Sequence, residues 1–227
     1  YLSTRLADPL WRILHRGHLH FLTQSMRVTQ SRRVLELACG PGRVTLELAE
    51  SERYVALDVN WQMLRFFVKD PAQGPRMLVQ GDAFALPFCA GAFDFVYSFR
   101  FVRHFDAEGR GRLFRAVRRI LKPAGWLAFD APNYAVEYPQ RVCAGADKYP
   151  VYDALWRKDE LLRELGDHGL DVVQLVPNIQ HYALQSKIAS LGRRLRTPAL
   201  ASACVGAMER VRGREPLEWL VLCKAHQ

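Results

Sequence analysis

The 227-residue chain has no C-x-x-C pair; its five cysteines (Cys39, Cys89, Cys143, Cys204 and Cys223) are scattered and odd in number. That pattern argues against a disulfide framework or a zinc site and predicts a reducing, cytoplasmic compartment. There is no apolar run near the roughly 20 residues needed to span a bilayer. The first 27 residues interleave Arg, His, Asp and Gln with apolar positions, so no signal peptide is expected. The chain opens on Tyr1 without a Met, and its start is expected to differ from that of the gene product. Internal repeats and low-complexity tracts are also missing. His15, His18 and His20 form an H-x-x-H-x-H run, but the spacing is expected to splay the rings on a helix, and no metal site is predicted.

What is there suits one domain with elaborations. Hydrophobic residues make up 49% and charged residues 24%, ordinary values for a globular protein with a sizeable core. The net charge is +9, and the stretch 181–214 holds seven bases (Lys187, Arg193, Arg194, Arg196, Arg210, Arg212, Arg214) against Glu209 alone. Such a field attracts an acidic substrate, an anionic membrane surface or nucleic acid, or it is simply a solvated helix face.

Apolar spacing over residues 8–26 predicts one or two helices before the core. Strands are expected at 33–38, 54–58, 77–80, 93–99, 126–131, 172–176 and 219–224. Helices are expected at 42–51, through Met63, Leu64 and Phe67, at 108–121 and 159–165, and as two basic segments broken near Pro198. Residues 71–75 read as a loop, and 133–152 as an irregular loop over the sheet's C-terminal edge. Alternating strands and helices imply a Rossmann-like, doubly wound α/β sheet, mostly parallel, with helices on both faces. The whole chain reads as one unit: a helical lid (1–30), a core (31–133), an active-site loop (134–157) and a basic helical insert (181–214) before the last strand.

The most informative stretch is Val34 to Thr45, an apolar run ending in Glu36 and a Gly40-Pro41-Gly42 turn that opens onto a helical pattern. A strand, a glycine turn and a helix start bring backbone N–H groups close to a ligand. A carboxylate there suits a cationic, amino-acid-like cofactor such as S-adenosylmethionine better than a pyrophosphate. A nicotinamide-binding turn needs a third glycine where Thr45 stands. Three further features follow at successive strand ends, where open α/β sheets bind ligands: Asp58, suited to ribose hydroxyls; Asp82-Ala83-Phe84, suited to adenine; and Phe93 to Ser98.

This order of motifs, together with Lys122-Pro123-Ala124-Gly125, resembles the class I S-adenosylmethionine-dependent methyltransferases, in particular the ubiquinone-type and other "type 11" small-molecule enzymes. The resemblance covers residues 31–133 and the closing strand, and implies a seven-stranded sheet with an antiparallel last strand. It implies that Glu36 and Gly40 hold the methionine part, with Gly42 in the same turn, and that Asp58, followed by Val59, holds the ribose. Asp82 and Ala83 would hold the adenine, with Met63 or Phe84 against its face, and Ser98 would close the pocket near the methyl donor. Ala38 replaces the first glycine of the family's E-x-G-x-G-x-G turn.

Methyl transfer from a sulfonium relies on positioning, and needs a base only where the acceptor keeps its proton. His104 is the candidate base, and Arg100 and Arg103 are candidates to hold an acidic substrate. Trp11, Phe21, Tyr134, Tyr138, Tyr149, Tyr152 and Trp156 could form a hydrophobic cage. Tyr97-Ser98-Phe99-Arg100 is not the N-P-P-Y tetrad of amide or base-nitrogen enzymes, and no cysteine has the cytosine-C5 context. The expectation is a methyltransferase acting on oxygen, nitrogen or carbon of a small molecule, oxygen slightly favoured. An RNA methyltransferase, or a non-catalytic cofactor-binding partner subunit, is the alternative.

Overall fold

A computed structural model describes residues 8–48, 54–66, 76–211, 213 and 215–226. Helix α1 (Pro9–Thr29) starts where the Asp8 carboxylate accepts from the Leu10 and Trp11 amides, with Pro9 at the first turn. Ile13, Leu14, His18, Phe21, Leu22 and Ser25 form its buried stripe. Gly17 lets it approach Asn178 closely, because a Cβ there would sit 2.2 Å from Asn178 Oδ1.

The core is a seven-stranded sheet: β1 (Val34–Leu37), β2 (Tyr54–Asp58), β3 (Arg76–Gln80), β4 (Phe93–Ser98), β5 (Leu121–Pro132), β6 (Leu170–Asn178) and β7 (Glu218–Ala225). The order is β3-β2-β1-β4-β5-β7-β6. The pairs among the first five strands are parallel, and β7 runs antiparallel to both β5 and β6. β1 and β2 are buried almost throughout, which is why they read as continuous apolar runs rather than alternating ones. The order reverses between β1 and β4, and this switch point is where the ends of neighbouring loops part to leave a crevice.

The helices are α2 (Trp61–Leu64), α3 (Ala107–Ile120), α4 (Tyr134–Ala144), α5 (Lys158–Asp167), α6 (Tyr182–Arg194) and α7 (Pro198–Met208). Leu113, Phe114, Val117 and Ile120 of α3 pack against Leu127 and Phe129 of β5 on one face, while Phe21 and Leu22 of α1 cover Tyr97 and Leu222 on the other. Among the described residues no helix is long and apolar enough to cross a membrane.

Several sequence expectations are corrected. The helix expected at 42–51 is, over its described part, a run of turns with mixed spacing: Leu46 N–H donates to Gly42 O, but Glu47 N–H to Val44 O. Residues 49–51 lie outside the described residues, as do 71–75, Phe67, Arg212 and Arg214. The irregular loop expected over 133–152 contains α4. The Asn133 side chain caps it, Tyr134 stacks on Tyr138 at 4.7 Å, and Glu137 pairs with Arg141, one helical turn apart. β5 begins five residues earlier than expected, running through Lys122-Pro123-Ala124-Gly125. The basic segment forms α6 and α7, which pack on α1 through Ile13, Leu14 and Val205.

Ala38 sits at φ 57°, with Gly40 at 55° and Gly42 at 81°. The first family glycine is therefore replaced by a residue that pays for left-handed backbone, about 1 kcal/mol. Ala38→Gly should raise the thermal midpoint by roughly 2–4 °C, the shift about 1 kcal/mol gives in a chain of this size. A lowered midpoint in a thermal melt would contradict the strain.

Candidate active site at the sheet switch point

The turn after β1 is fastened from three sides. Gly40 N–H donates to Asp58 Oδ2 at 2.7 Å, and Cys39 N–H to the Leu57 carbonyl at 3.0 Å. From beneath, Glu36 Oε2 accepts from the hydroxyls of Thr45, Tyr54 at 3.0 Å and Tyr97 at 2.8 Å. Burial pushes the Glu36 carboxyl up from its ordinary value, and the hydroxyl donors and Arg43 oppose the rise. Glu36 is thus sealed under the turn, where it orders three elements, rather than on the wall the sequence suggested.

Above the turn opens a cavity of about 570 Å³. Ala38, Cys39, Gly40, Pro41 and Arg43 form its floor, Trp11 of α1 and Phe99 and Arg100 after β4 its side, and His104, Tyr149 and Asp153 its rim. A Cβ built on Gly40 meets nothing within 4 Å, so this glycine presents bare backbone to open space.

Behind the cavity lies a buried polar network. The Arg43 guanidinium donates to Nδ1 of His15 at 2.7 Å and Nδ1 of His18 at 2.9 Å. The other ring nitrogens then carry the protons, His15 Nε2 facing Glu47 at 2.7 Å and His18 Nε2 facing Glu218 at 2.6 Å. The two rings converge on one cation rather than splaying; His15 and His18, three apart, share a helix face. His18 is fully buried, stacks on Phe99 at 4.0 Å, and has its pKa lowered by desolvation, against which Glu218 acts.

Arg103, 3% exposed, bonds Asp130 and, at 3.0 Å, Glu218. Burial alone would lower its pKa, but the two carboxylates outweigh that and raise it. It does not line the cavity, which corrects the expectation that it holds substrate. Glu218, also bonded by Asn178 at 3.0 Å, is held well below the usual carboxylate range; His18, Arg103 and Asn178 together outweigh its burial.

The other expected residues divide likewise. Ser98 is buried and its hydroxyl donates to the Leu37 carbonyl at 2.7 Å, pinning β4 to β1 rather than facing the cavity. Asp58 Oδ1 accepts from the Asn60 amide at 2.8 Å, and Val59 beside it is 68% exposed. Asp82 is exposed at the end of the neighbouring strand, with Oδ1 accepting from Phe84 N–H at 2.9 Å. Ala83 is buried and Met63 half-buried. Phe84 packs edge-on against Phe105 with Arg112 over its ring, so it is engaged already. Of the aromatic residues, Trp11 and Tyr149 reach the cavity. Phe21 is core, Tyr134 pairs with Tyr138, and Trp156 donates to Glu164. Tyr152 is exposed.

Sequence reasoning missed Asp153. His104 Nδ1 bonds the Tyr152 carbonyl at 3.2 Å, which calls for the proton on Nδ1, and lies 2.9 Å from Asp153 Oδ1. The hydrogen bond to Asp153 raises the His104 pKa, against partial burial. Arg141 holds the second Asp153 oxygen at 2.9 Å. Arg100, at φ 61°, is turned inward by its N–H bond to Asp130.

Residues 34–125 match the family model described as "Methyltransferase domain". Residues 34–125 are thus similar to a methyltransferase domain, in a sheet of the kind expected for the class I, S-adenosylmethionine-dependent enzymes. Among curated relatives, it is 36% identical over 104 residues to a malonyl-[acyl-carrier protein] O-methyltransferase of Legionella pneumophila, covering 43% of this chain and 35% of that protein. It is 27% identical over 138 residues to a sterol 24-C-methyltransferase of Aspergillus fumigatus, covering 55% and 36%. The chain thus spans little more than a third of the length of these relatives. Among solved structures, the magnesium protoporphyrin IX methyltransferase of Synechocystis, with bound SAH, superposes with a TM-score of 0.66 at 11% identity, covering 96% of this chain and 85% of that one. A methyltransferase from Clostridium acetobutylicum gives 0.64 at 15%, covering 92% and 90%. These likenesses establish the shared fold.

The residues fit the cofactor of that class. Bare backbone at Gly40 faces the cavity, and carboxylates stand at the ends of β2 and β3, outside the cavity's lining, Asp58 being tied to it through the Gly40 amide. Asp58→Ala should weaken binding of S-adenosylhomocysteine by at least about 1.5 kcal/mol in calorimetry, through loss of charge-assisted hydrogen bonds; an unchanged affinity would contradict the assignment. His18 predicts a pH effect. Because its folded pKa lies below the ordinary value, the stability it contributes is present above about pH 6.5 and is lost as the pH falls below that. The denaturation midpoint should therefore drop on acidification from pH 7.5 to 5.5, and drop less in His18→Gln. Equal losses in the two proteins would contradict this.

Proposed function

We propose that the protein is a cytoplasmic methyltransferase that moves a methyl group from S-adenosylmethionine to an oxygen atom of a small molecule. The observation that carries the reading is the His104–Asp153 pair on the rim of the same cavity whose floor is the glycine turn. A hydroxyl acceptor keeps its proton at neutral pH and so benefits from a base, whereas a thiolate or amine has less need of one. Five free cysteines without a pairing pattern support a reducing compartment.

In this reading Gly40 and the backbone around it hold the methionine part of the cofactor, Asp58 and Val59 the ribose, and Asp82, Ala83 and Met63 the adenine. The bound sulfonium supplies an activated methyl group. The protein supplies the rest. The Tyr152 carbonyl, with Asp153 held beside it by Arg141, keeps the His104 proton on Nδ1 and leaves Nε2 to accept the hydroxyl proton. Helix α1 contributes Trp11, and the segment after α4 contributes Tyr149, two apolar surfaces that shield the acceptor from water. Positioning of this kind accounts for most of the rate in a displacement from an activated donor.

Transfer of labelled methyl from S-adenosylmethionine to a panel of phenols and hydroxy acids tests the reading. His104→Asn should lower kcat by about 10²–10⁴-fold, with S-adenosylhomocysteine affinity unchanged. The rate should rise with pH through a limb above 6.5, because the pair raises the His104 pKa. Asp153→Asn should move that limb downward. Transfer unaffected by His104→Asn, or accepted only by amines and carbon acids, would overturn it.

A further inference from the structure

We infer that the acceptor is a carboxylic acid with an apolar tail, its carboxylate held by Arg100 and its tail lying in a second cavity behind Trp11. The inference rests on the methyltransferase reading above and names the acceptor class for the same site. Arg43, Arg100, Lys148 and His104 line the main cavity, and Asp153, its one acidic residue among those described, is already paired with His104 and Arg141. Arg103 is neutralised by Asp130 and Glu218, and Arg43 is spent on two histidine rings.

Arg100 is different. Its guanidinium lies over the Trp11 ring at 4.6 Å, and no carboxylate or carbonyl among the described residues accepts from it. Its own backbone is held at φ 61° by the Asp130 carboxylate, an unfavourable conformation for a side-chain-bearing residue, which the fold maintains while aiming this cation inward. A planar fork with open donors matches one carboxylate in two-pronged fashion.

The second cavity, about 300 Å³, shares Trp11 and Arg100 with the first and continues away from the glycine turn. Leu10, Leu14, Ile179 and Leu217 give it apolar walls, with Tyr182 and Ser186 beside them. The two charged groups at its far side, Asp8 and Arg193, pair with each other at 2.7 Å, so that end offers no free charge to a second head group. A molecule whose carboxylate meets Arg100 thus has an apolar slot on one side and the His104–Asp153 pair on the other. The reacting hydroxyl belongs on the side of His104.

The test is equilibrium binding, read without turnover by calorimetry, with and without S-adenosylhomocysteine. The probes are octanoate, octanamide and propionate. Octanoate should bind at least about tenfold tighter than octanamide, the change that one charge-assisted hydrogen-bond pair gives, and tighter than propionate by a similar factor. Arg100→Gln should erase the preference over octanamide and leave S-adenosylhomocysteine affinity within about twofold. Ser186→Phe, which fills the second cavity from α6, should erase the preference over propionate alone. Equal binding of octanoate and octanamide to the unaltered protein would overturn the inference, as would a preference that survives Arg100→Gln. Failure of S-adenosylhomocysteine to bind while octanoate still discriminates would overturn the methyltransferase reading instead.

Discussion

The structure depends on a chain of buried polar contacts that begins at Arg43 and ends at Asp130. Arg43, next to the glycine turn, grips two histidines of α1; one of these reaches Glu218 of β7, which also binds Arg103, which in turn binds Asp130 of β5. Glu218 lies 175 residues beyond Arg43 in the sequence, yet one network joins the turn, the N-terminal helix and the two strands on the acceptor side. Groups this buried cost several kcal/mol to desolvate unless each has its partner, so removing one member leaves its neighbours exposed to that cost. The network fixes where α1 lies across the sheet, and therefore where Trp11 stands above the cavity.

Two carboxylates do similar work below. Glu36 gathers hydroxyls from the turn, β2 and β4, and Asp58 holds the Gly40 amide. The glycine turn is therefore shaped before any ligand arrives, which lowers the ordering cost of binding. The left-handed backbone at Ala38 and Arg100 is the local cost of that shape, and both residues line the cavity.

The sheet was legible in the sequence because buried parallel strands are short apolar runs bounded by glycine and charge, as in β1, β2 and β4. Ala38, Gly40, Arg100 and His104, each of which follows a strand end, are singled-out residues that line the cavity. What local pattern did not carry was direction and partnership. Glu36 and Ser98 stand at the expected strand ends but turn inward, because Tyr54, Tyr97 and the Leu37 carbonyl on neighbouring strands offer closer partners. Asp153 lies 49 residues past His104 in a stretch without periodicity, so nothing in its surroundings marked it. Helix α4 was missed because Pro139 and its tyrosines suggested a loop; capping by Asn133 and the Glu137–Arg141 pair outweighed them.

In the function proposed above, the cofactor lies over a preformed turn at Gly40, held by Asp58, and the acceptor enters on the Trp11–Arg100–His104 side. A crystal structure of the protein grown with S-adenosylhomocysteine tests this most directly. Density should cross Gly40, with the ribose on Asp58, the adenine beside Asp82, and the sulfur end opening toward His104 and Arg100. Density elsewhere, or a ligand lying over Gly40 with its sulfur turned away from His104, would contradict it.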